Sequence, residues 1–197
     1  MKKLLCYGDS NTLGYDPRDW LGGCVDRPWC ALLGEAAGCQ TVNCGLNGRR
    51  IPRSPRERAV LLQLLEREKP EGLLIMLGTN DILQGADPAK SARNMEILLE
   101  QTGRFPCDCL LLSPPRMALP EMEAGLEALT EGLARAAERT GIRFADCRDW
   151  KIPLAFDGIH FSEAGHACFA QRVAALLDRL HFPSSDRENQ PDMGLNL

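Results

Sequence analysis

Lys3-Leu4-Leu5-Cys6-Tyr7-Gly8-Asp9-Ser10-Asn11-Thr12 is an apolar run that breaks at a glycine and gives way to turn-forming polar residues. A continuous apolar stretch of that length, closed by a turn signal, reads as a strand buried on both faces. Gln40 to Cys44, Gly72 to Leu77, Asp108 to Ser113 and Ile142 to Asp146 have the same form. Longer segments with helical spacing separate these five runs. Strands that alternate with helices are joined by crossovers, which set the strands parallel and put helices on both faces of the sheet. The expected fold class is α/β, a three-layer α/β/α sandwich around a five-stranded parallel sheet.

The helices carry their own end signals. Ser54-Pro55-Arg56-Glu57 looks like a capping box with proline at the first helical position, followed by Val60, Leu61, Leu64 and Leu65 at core-facing spacing. Asp87-Pro88 opens another helix with Met95, Leu98 and Leu99 on one side, and Met122, Leu126, Leu129 and Leu133 mark a third that ends near Gly141. A fourth begins around Ser162 and runs through Phe169, Val173, Leu176, Leu177 and Leu180, and a shorter one spans Trp29 to Ala37. No internal repeat or linker divides the chain, and 197 residues suit a single core. Residues 1–181 are expected to form one domain, and residues 182–197, FPSSDRENQPDMGLNL, a polar tail.

Composition narrows the function classes. A formal charge of -4, with Lys and Arg scattered among acids, gives no basic stripe for a phosphate backbone, so nucleic acid is not an expected partner. No run approaches the roughly 20 apolar residues of a membrane span. The apolar stretch after Lys2 and Lys3 is shorter than the roughly 7–15 residues of a signal-peptide core, so a cytoplasmic protein is expected, with no membrane partner. Nine cysteines, an odd number without a CxxC pair, read as reduced structural thiols and not as a zinc site or disulfide framework. Association with further copies of the chain is left open.

Four strand-end loops hold polar residues with chemical potential. Ser10 follows strand one, where open parallel sheets bind ligands outside the carboxyl ends of their strands. Asn80, in Gly78-Thr79-Asn80-Asp81, is placed to donate a side-chain amide hydrogen into the same crevice. The loop Asn43-Cys44-Gly45-Leu46-Asn47-Gly48 brings glycines whose N–H groups approach a ligand without obstruction by Cβ. Asp157-Gly158-Ile159-His160 spaces a carboxylate and an imidazole so that one orients the other. Each alone is a plausible turn or cap. Together they supply a nucleophile, a base, a carboxylate to orient it and oxyanion donors.

On these blocks the chain resembles the SGNH hydrolases, also called GDSL-like esterases and lipases. The match runs in order through Gly8-Asp9-Ser10, the Gly45 to Gly48 loop, Gly78-Thr79-Asn80-Asp81 and Asp157-Gly158-Ile159-His160, and spans Lys3 to about Leu180. The resemblance implies the flavodoxin-like fold of that family and a carboxylic ester hydrolase that needs no metal or organic cofactor. Ser10 would be the acylated nucleophile, His160 the base and Asp157 its partner. Ser10 N–H, Gly48 N–H and the Asn80 amide would form the oxyanion hole, with Gly45 as the alternative to Gly48. Asp9, Asn11, Thr12 and Ile159 flank these groups as candidate substrate contacts, and Asn11, where the name-giving motif has leucine, is expected on the pocket floor.

Ile75-Met76-Leu77-Gly78-Thr79-Asn80-Asp81, Ser113-Pro114-Pro115 and Asp157-Gly158-Ile159-His160-Phe161 look most like the arylesterase and acyltransferase branch. The expected substrate is then a small-molecule ester with a short acyl or aryl group, with acyl transfer to alcohols as a companion activity. A carbohydrate O-acetylesterase would use the same residues. A non-catalytic module of the same fold would not need serine, asparagine, aspartate and histidine together. A nucleotide- or flavin-binding protein would want a GxGxxG or P-loop at the first turn, which Asp9-Ser10 does not offer. His166, about one turn into the last helix, is expected to make a structural hydrogen bond.

Overall fold

Five parallel strands form one sheet in the order β2-β1-β3-β4-β5: β1 Lys3–Gly8, β2 Gln40–Gly45, β3 Gly72–Met76, β4 Asp108–Leu112 and β5 Arg143–Ala145. The computed structural model describes residues 1–19 and 21–183. The chain first steps from β1 outward to β2 and then returns to the other side of β1 for β3. That reversal opens a crevice at the carboxyl ends of β1 and β3, where doubly wound sheets bind ligands.

Among the described residues seven α-helices cover the sheet: α1 Ser10–Leu13, α2 Trp29–Ala37, α3 Pro55–Glu68, α4 Thr79–Leu83, α5 Pro88–Thr102, α6 Glu123–Thr140 and α7 Glu163–Arg179. One face of the sheet packs Leu5, Tyr7, Leu73, Ile75 and Leu111 against Leu61 and Leu65 of α3, Met95 and Leu98 of α5, and Leu129 and Leu133 of α6. The other packs Leu4, Cys6, Leu74, Met76 and Leu110 against Trp29 and Leu33 of α2 and Phe169 and Val173 of α7. Alternate residues of each central strand thus enter opposite layers, as the pleat requires.

The helix ends obey local chemistry. Ser54 Oγ accepts from Glu57 N–H, with Pro55 at the first position of α3, and Glu57 reaches back to Arg53 N–H. Asp87 caps α5, Ser162 caps α7, and Gly141 closes α6 in the left-handed region.

Three expectations need correction. β2 and β5 are not buried on both faces, because they are the sheet edges and their residues are half-buried or exposed. Val60 does not face the core; it is 47% exposed, since Leu61 and Leu65 fill the inward stripe of α3. Phe182, assigned to the tail, is buried with the α2–α7 layer, so packing extends past residue 181. Residues 184–197, the rest of that segment, lie outside the described residues. Among the described residues no helix is long and apolar enough to cross a membrane. None of the nine cysteines forms a disulfide.

The end of β2 lies against α1 with no room between them. A Cβ on Gly45 would stand 2.0 Å from Leu13 N and 2.5 Å from Leu13 Cα, both backbone atoms that cannot swing aside. Gly48, at φ +69°, has nothing within 4 Å of its missing Cβ. Gly45→Ala should therefore cost ~3 kcal/mol or more of stability through overpacking, and Gly48→Ala only the left-handed penalty of about 1 kcal/mol. Urea unfolding of the two variants checks this, and equal losses would contradict the packing described.

Candidate active site

The chain leaves β1 and turns at once into α1, so Ser10 is the first helical residue and not a loop residue. Asp9 caps the turn, its Oδ1 accepting the Asn11 N–H at 3.0 Å. As the first residue of a helix, Ser10 has an N–H with no intrahelical acceptor, and it emerges beside its own hydroxyl. Ser10 Oγ lies 3.0 Å from His160 Nε2, although 150 residues separate the two in sequence.

His160 sits in a tight turn closed by the Leu154–Phe161 bridge and by Ala155 N–H donating to His160 O. Within it, Asp157 Oδ1 accepts both the Ile159 and His160 N–H groups at 3.0 Å. This local turn orients the carboxylate and leaves Oδ2 free to meet His160 Nδ1 at 2.5 Å. Burial pushes the Asp157 carboxyl upward, but the His160 ring and the two backbone donors outweigh it and hold the group below its ordinary value. The Tyr15 ring packs against the imidazole with centroids 4.8 Å apart. With side-chain exposures of 17% and 22%, His160 and Asp157 remain open to an incoming ligand.

The glycine loop reaches the same crevice. Gly45 N–H is already taken by Asn43 Oδ1 at 2.9 Å. Arg49 pins this loop to the sheet: its Nη1 donates to Gly8 O at 2.9 Å and to Cys44 O, and its guanidinium lies 4.1 Å above the Tyr7 ring. Asn80 Nδ2 donates to Arg49 O at 3.1 Å, tying the asparagine to the glycine loop. Asp81 is buried behind it, accepting Ile51 N–H and Ser91 Oγ–H at 3.0 Å.

Three of the four expected substrate contacts belong to the scaffold instead. Asp9 and Thr12 are fully buried and cannot face a ligand. Asn11, 4% exposed, is not a pocket floor: its Nδ2 donates to Ile159 O at 3.2 Å and its Oδ1 accepts Phe161 N–H at 2.8 Å. One amide thus holds the backbone on both sides of His160. Ile159 is half-buried and packs on the core layer of α3, α5 and α6. Arg49 and Tyr15 are the site residues that sequence reasoning missed; the only signal for Arg49 was its place directly after Gly48.

His166 is separate from this chain of bonds. It is fully buried, its Nδ1 accepts Trp29 N–H at 3.2 Å, and burial lowers its pKa from 6.5 to about 4. Asp9 shifts the other way: burial, only partly offset by the Asn11 N–H and the Thr79 hydroxyl, raises it from 3.8 to about 6.

The family model of the GDSL-like lipases and acylhydrolases matches residues 6–168. Among solved structures, an inhibitor-bound aryl esterase of M. smegmatis is 25% identical, with 91% of this chain and 100% of that one covered at a TM-score of 0.71. A carbohydrate acetylesterase from Sinorhizobium meliloti is 22% identical, covering 91% and 100% at a TM-score of 0.74. An α/β hydrolase from the metagenome of Lake Arreo, Spain, is 23% identical, covering 91% and 96% at 0.74. No curated protein matches the chain.

Asn11→Leu removes both bonds of the bridge and leaves a backbone donor and acceptor unpaired beside the imidazole. It should lower kcat roughly 10- to 100-fold with KM nearly unchanged; a raised KM at constant kcat would make Asn11 a ligand contact after all.

The two shifted groups set opposing pH slopes. An unfolded His166 takes a proton as pH falls through 6.5 while the folded one resists to about 4, so that residue loses up to roughly 3 kcal/mol of stability on acidification. Asp9 holds its proton longer folded than unfolded, so it penalises the fold as pH rises from 3.8 through about 6, by a similar amount. Urea unfolding between pH 4 and 7 should show a steeper acid loss in Asp9→Asn than in wild type, and a slope of opposite sign in His166→Gln. Parallel curves for all three proteins would contradict both assignments.

Proposed function

Because the chain belongs to the GDSL-like lipase/acylhydrolase family, we propose that it is a serine esterase of short acyl and aryl esters that works through an acyl-enzyme on Ser10. The observation that carries this reading is the unbroken chain of hydrogen bonds from Ser10 Oγ through His160 to Asp157. Ser10 Oγ attacks the ester carbonyl as its proton passes to His160 Nε2. The tetrahedral oxyanion rests on Ser10 N–H, Gly48 N–H and the Asn80 amide. Collapse releases the alcohol, which takes the proton from His160, and water then repeats the sequence to release the acid and restore Ser10. Asp157 stays ionised throughout and stabilises the imidazolium.

Short substrates suit the surroundings. The connection after β3 is the five-residue α4 followed by the turn into α5, and neither it nor the stretch after β4 adds a long insertion that would wall an acyl tunnel. An alcohol in place of water would give acyl transfer by the same steps, and an O-acetylated sugar would present the same acyl end. Reduced thiols at all nine cysteines fit a cytoplasmic setting.

A panel of p-nitrophenyl esters from two to twelve carbons, run beside acetylated xylan and O-acetylated sialic acid, tests the reading. Acetate and butyrate should outpace the twelve-carbon ester at least tenfold, and Ser10→Ala should lose the activity on all of them. A maximum at long chains, or a tenth of the wild-type rate surviving in Ser10→Ala, would overturn it.

A further inference from the structure

Basic residues are not evenly scattered in this acidic chain. Arg49-Arg50-Ile51-Pro52-Arg53-Ser54-Pro55-Arg56-Glu57-Arg58 holds five arginines and one acid in ten residues, directly after the glycine loop. A cavity of about 230 Å³ opens there, lined by Tyr7, Leu46, Arg49, Arg50, Arg53 and Glu57 together with Pro52 and Val60. Arg49 lines the cavity and its carbonyl accepts from the Asn80 amide, so the cavity adjoins the loop that carries Gly48.

The charges in this cavity act on one another only through space: Arg53 favours the ionised form of Glu57, and Arg50 and Arg53 that of the buried Asp81, with no close ion pair among the described residues. Arg49 is engaged with Gly8 O, Cys44 O and the Tyr7 ring. Arg50 and Arg53 make no ion pair and no side-chain hydrogen bond among the described residues. Glu57 is the one acid in the lining, and its Oε2 accepts the Arg53 backbone N–H at 2.6 Å, part of the cap of α3. Asp81, the other nearby carboxylate, is buried with both oxygens occupied by Ile51 N–H and Ser91. Arg50 and Arg53 therefore line a small concavity in which Glu57, the acid among its described lining residues, serves a helix end. Guanidinium groups pair with carboxylates through two parallel hydrogen bonds, and a partly enclosed wall strengthens the pairing.

We propose that this cavity is a subsite for an anionic group on the ester substrate, specifically a carboxylate, bound by Arg50 and Arg53. The volume lies below the roughly 300–1,000 Å³ that encloses a whole drug-sized ligand, so it takes a carboxylate and its adjoining carbons while the ester bond stays at Ser10. Leu46 and Val60, exposed at the rim, would cover those carbons. The proposal rests on the esterase reading and narrows it to carboxylated esters.

Matched substrates separate the two sides on which the charge could sit. 4-Acetoxybenzoate against methyl 4-acetoxybenzoate places it on the leaving group; the mono-p-nitrophenyl ester of glutaric acid against p-nitrophenyl pentanoate places it on the acyl group. For one pair, wild-type kcat/KM should favour the carboxylated member about tenfold, less at high salt because Arg53 is exposed. In Arg50→Gln/Arg53→Gln the ratio should fall to near one. In Arg50→Glu/Arg53→Glu it should drop below one, with circular dichroism confirming that each variant is folded. Turnover of the neutral esters with no preference in either pair, or a preference that survives both double variants, overturns the subsite and leaves the esterase reading standing. Absence of turnover on every ester overturns the esterase reading itself.

Discussion

Two missing side-chain carbons let the site exist. At Gly8 a Cβ would meet Thr12 Oγ1 at 2.0 Å and Met76 O at 2.9 Å, and at Gly45 it would enter the backbone of Leu13. Without those carbons, β1 turns directly into α1 between its two neighbouring strands, and the first helical residue comes out at the reversal of strand order. The position of the serine and the approach of the glycine loop both descend from that close fit. The hydrogen-bond chain to His160 and Asp157 is a consequence of it.

Around the turn, buried polar groups fix backbone and do not meet ligand. Asp9 caps α1, Asp81 gathers Ile51 and Ser91, and Asn11 clamps the turn that bears His160. Burying an unpaired polar group costs about 1–3 kcal/mol, so each of these partnerships is held against local movement. His160 and Asp157 stay partly open at the surface, while Ser10 is buried, at 7% exposure. Rigidity comes from the layer beneath them.

Much of this was legible in the chain because it is written in short-range patterns. The central strands are uninterrupted apolar runs, and Ser54-Pro55, Asp87-Pro88 and Ser162 announce helices through bonds made within three residues. The Asp157 to His160 spacing is legible for the same reason, since the carboxylate orders its own turn. What was illegible depends on partners far away in sequence. Asn11 reads as a pocket-floor residue until Ile159 and Phe161, 148 and 150 residues on, arrive against it. The helices α1 and α4, at four and five residues, are too short to show a period. That Gly45 N–H is taken by Asn43 Oδ1 depends on a side-chain direction the sequence does not carry. The arginine run was visible throughout but disappeared when charge was averaged over the whole chain.

The 150-residue span between Ser10 and His160 also has a consequence for biosynthesis. A ribosome extends the chain at about 5–20 residues per second, so the serine precedes its imidazole by roughly 8–30 s. Throughout that interval the nascent chain has the Ser10 hydroxyl but not the imidazole it meets in the folded chain, and α7, which begins three residues after His160, has not yet closed its face of the sheet. The order of synthesis therefore makes the Ser10–His160 pairing one of the last contacts the chain can form, ahead only of the docking of α7.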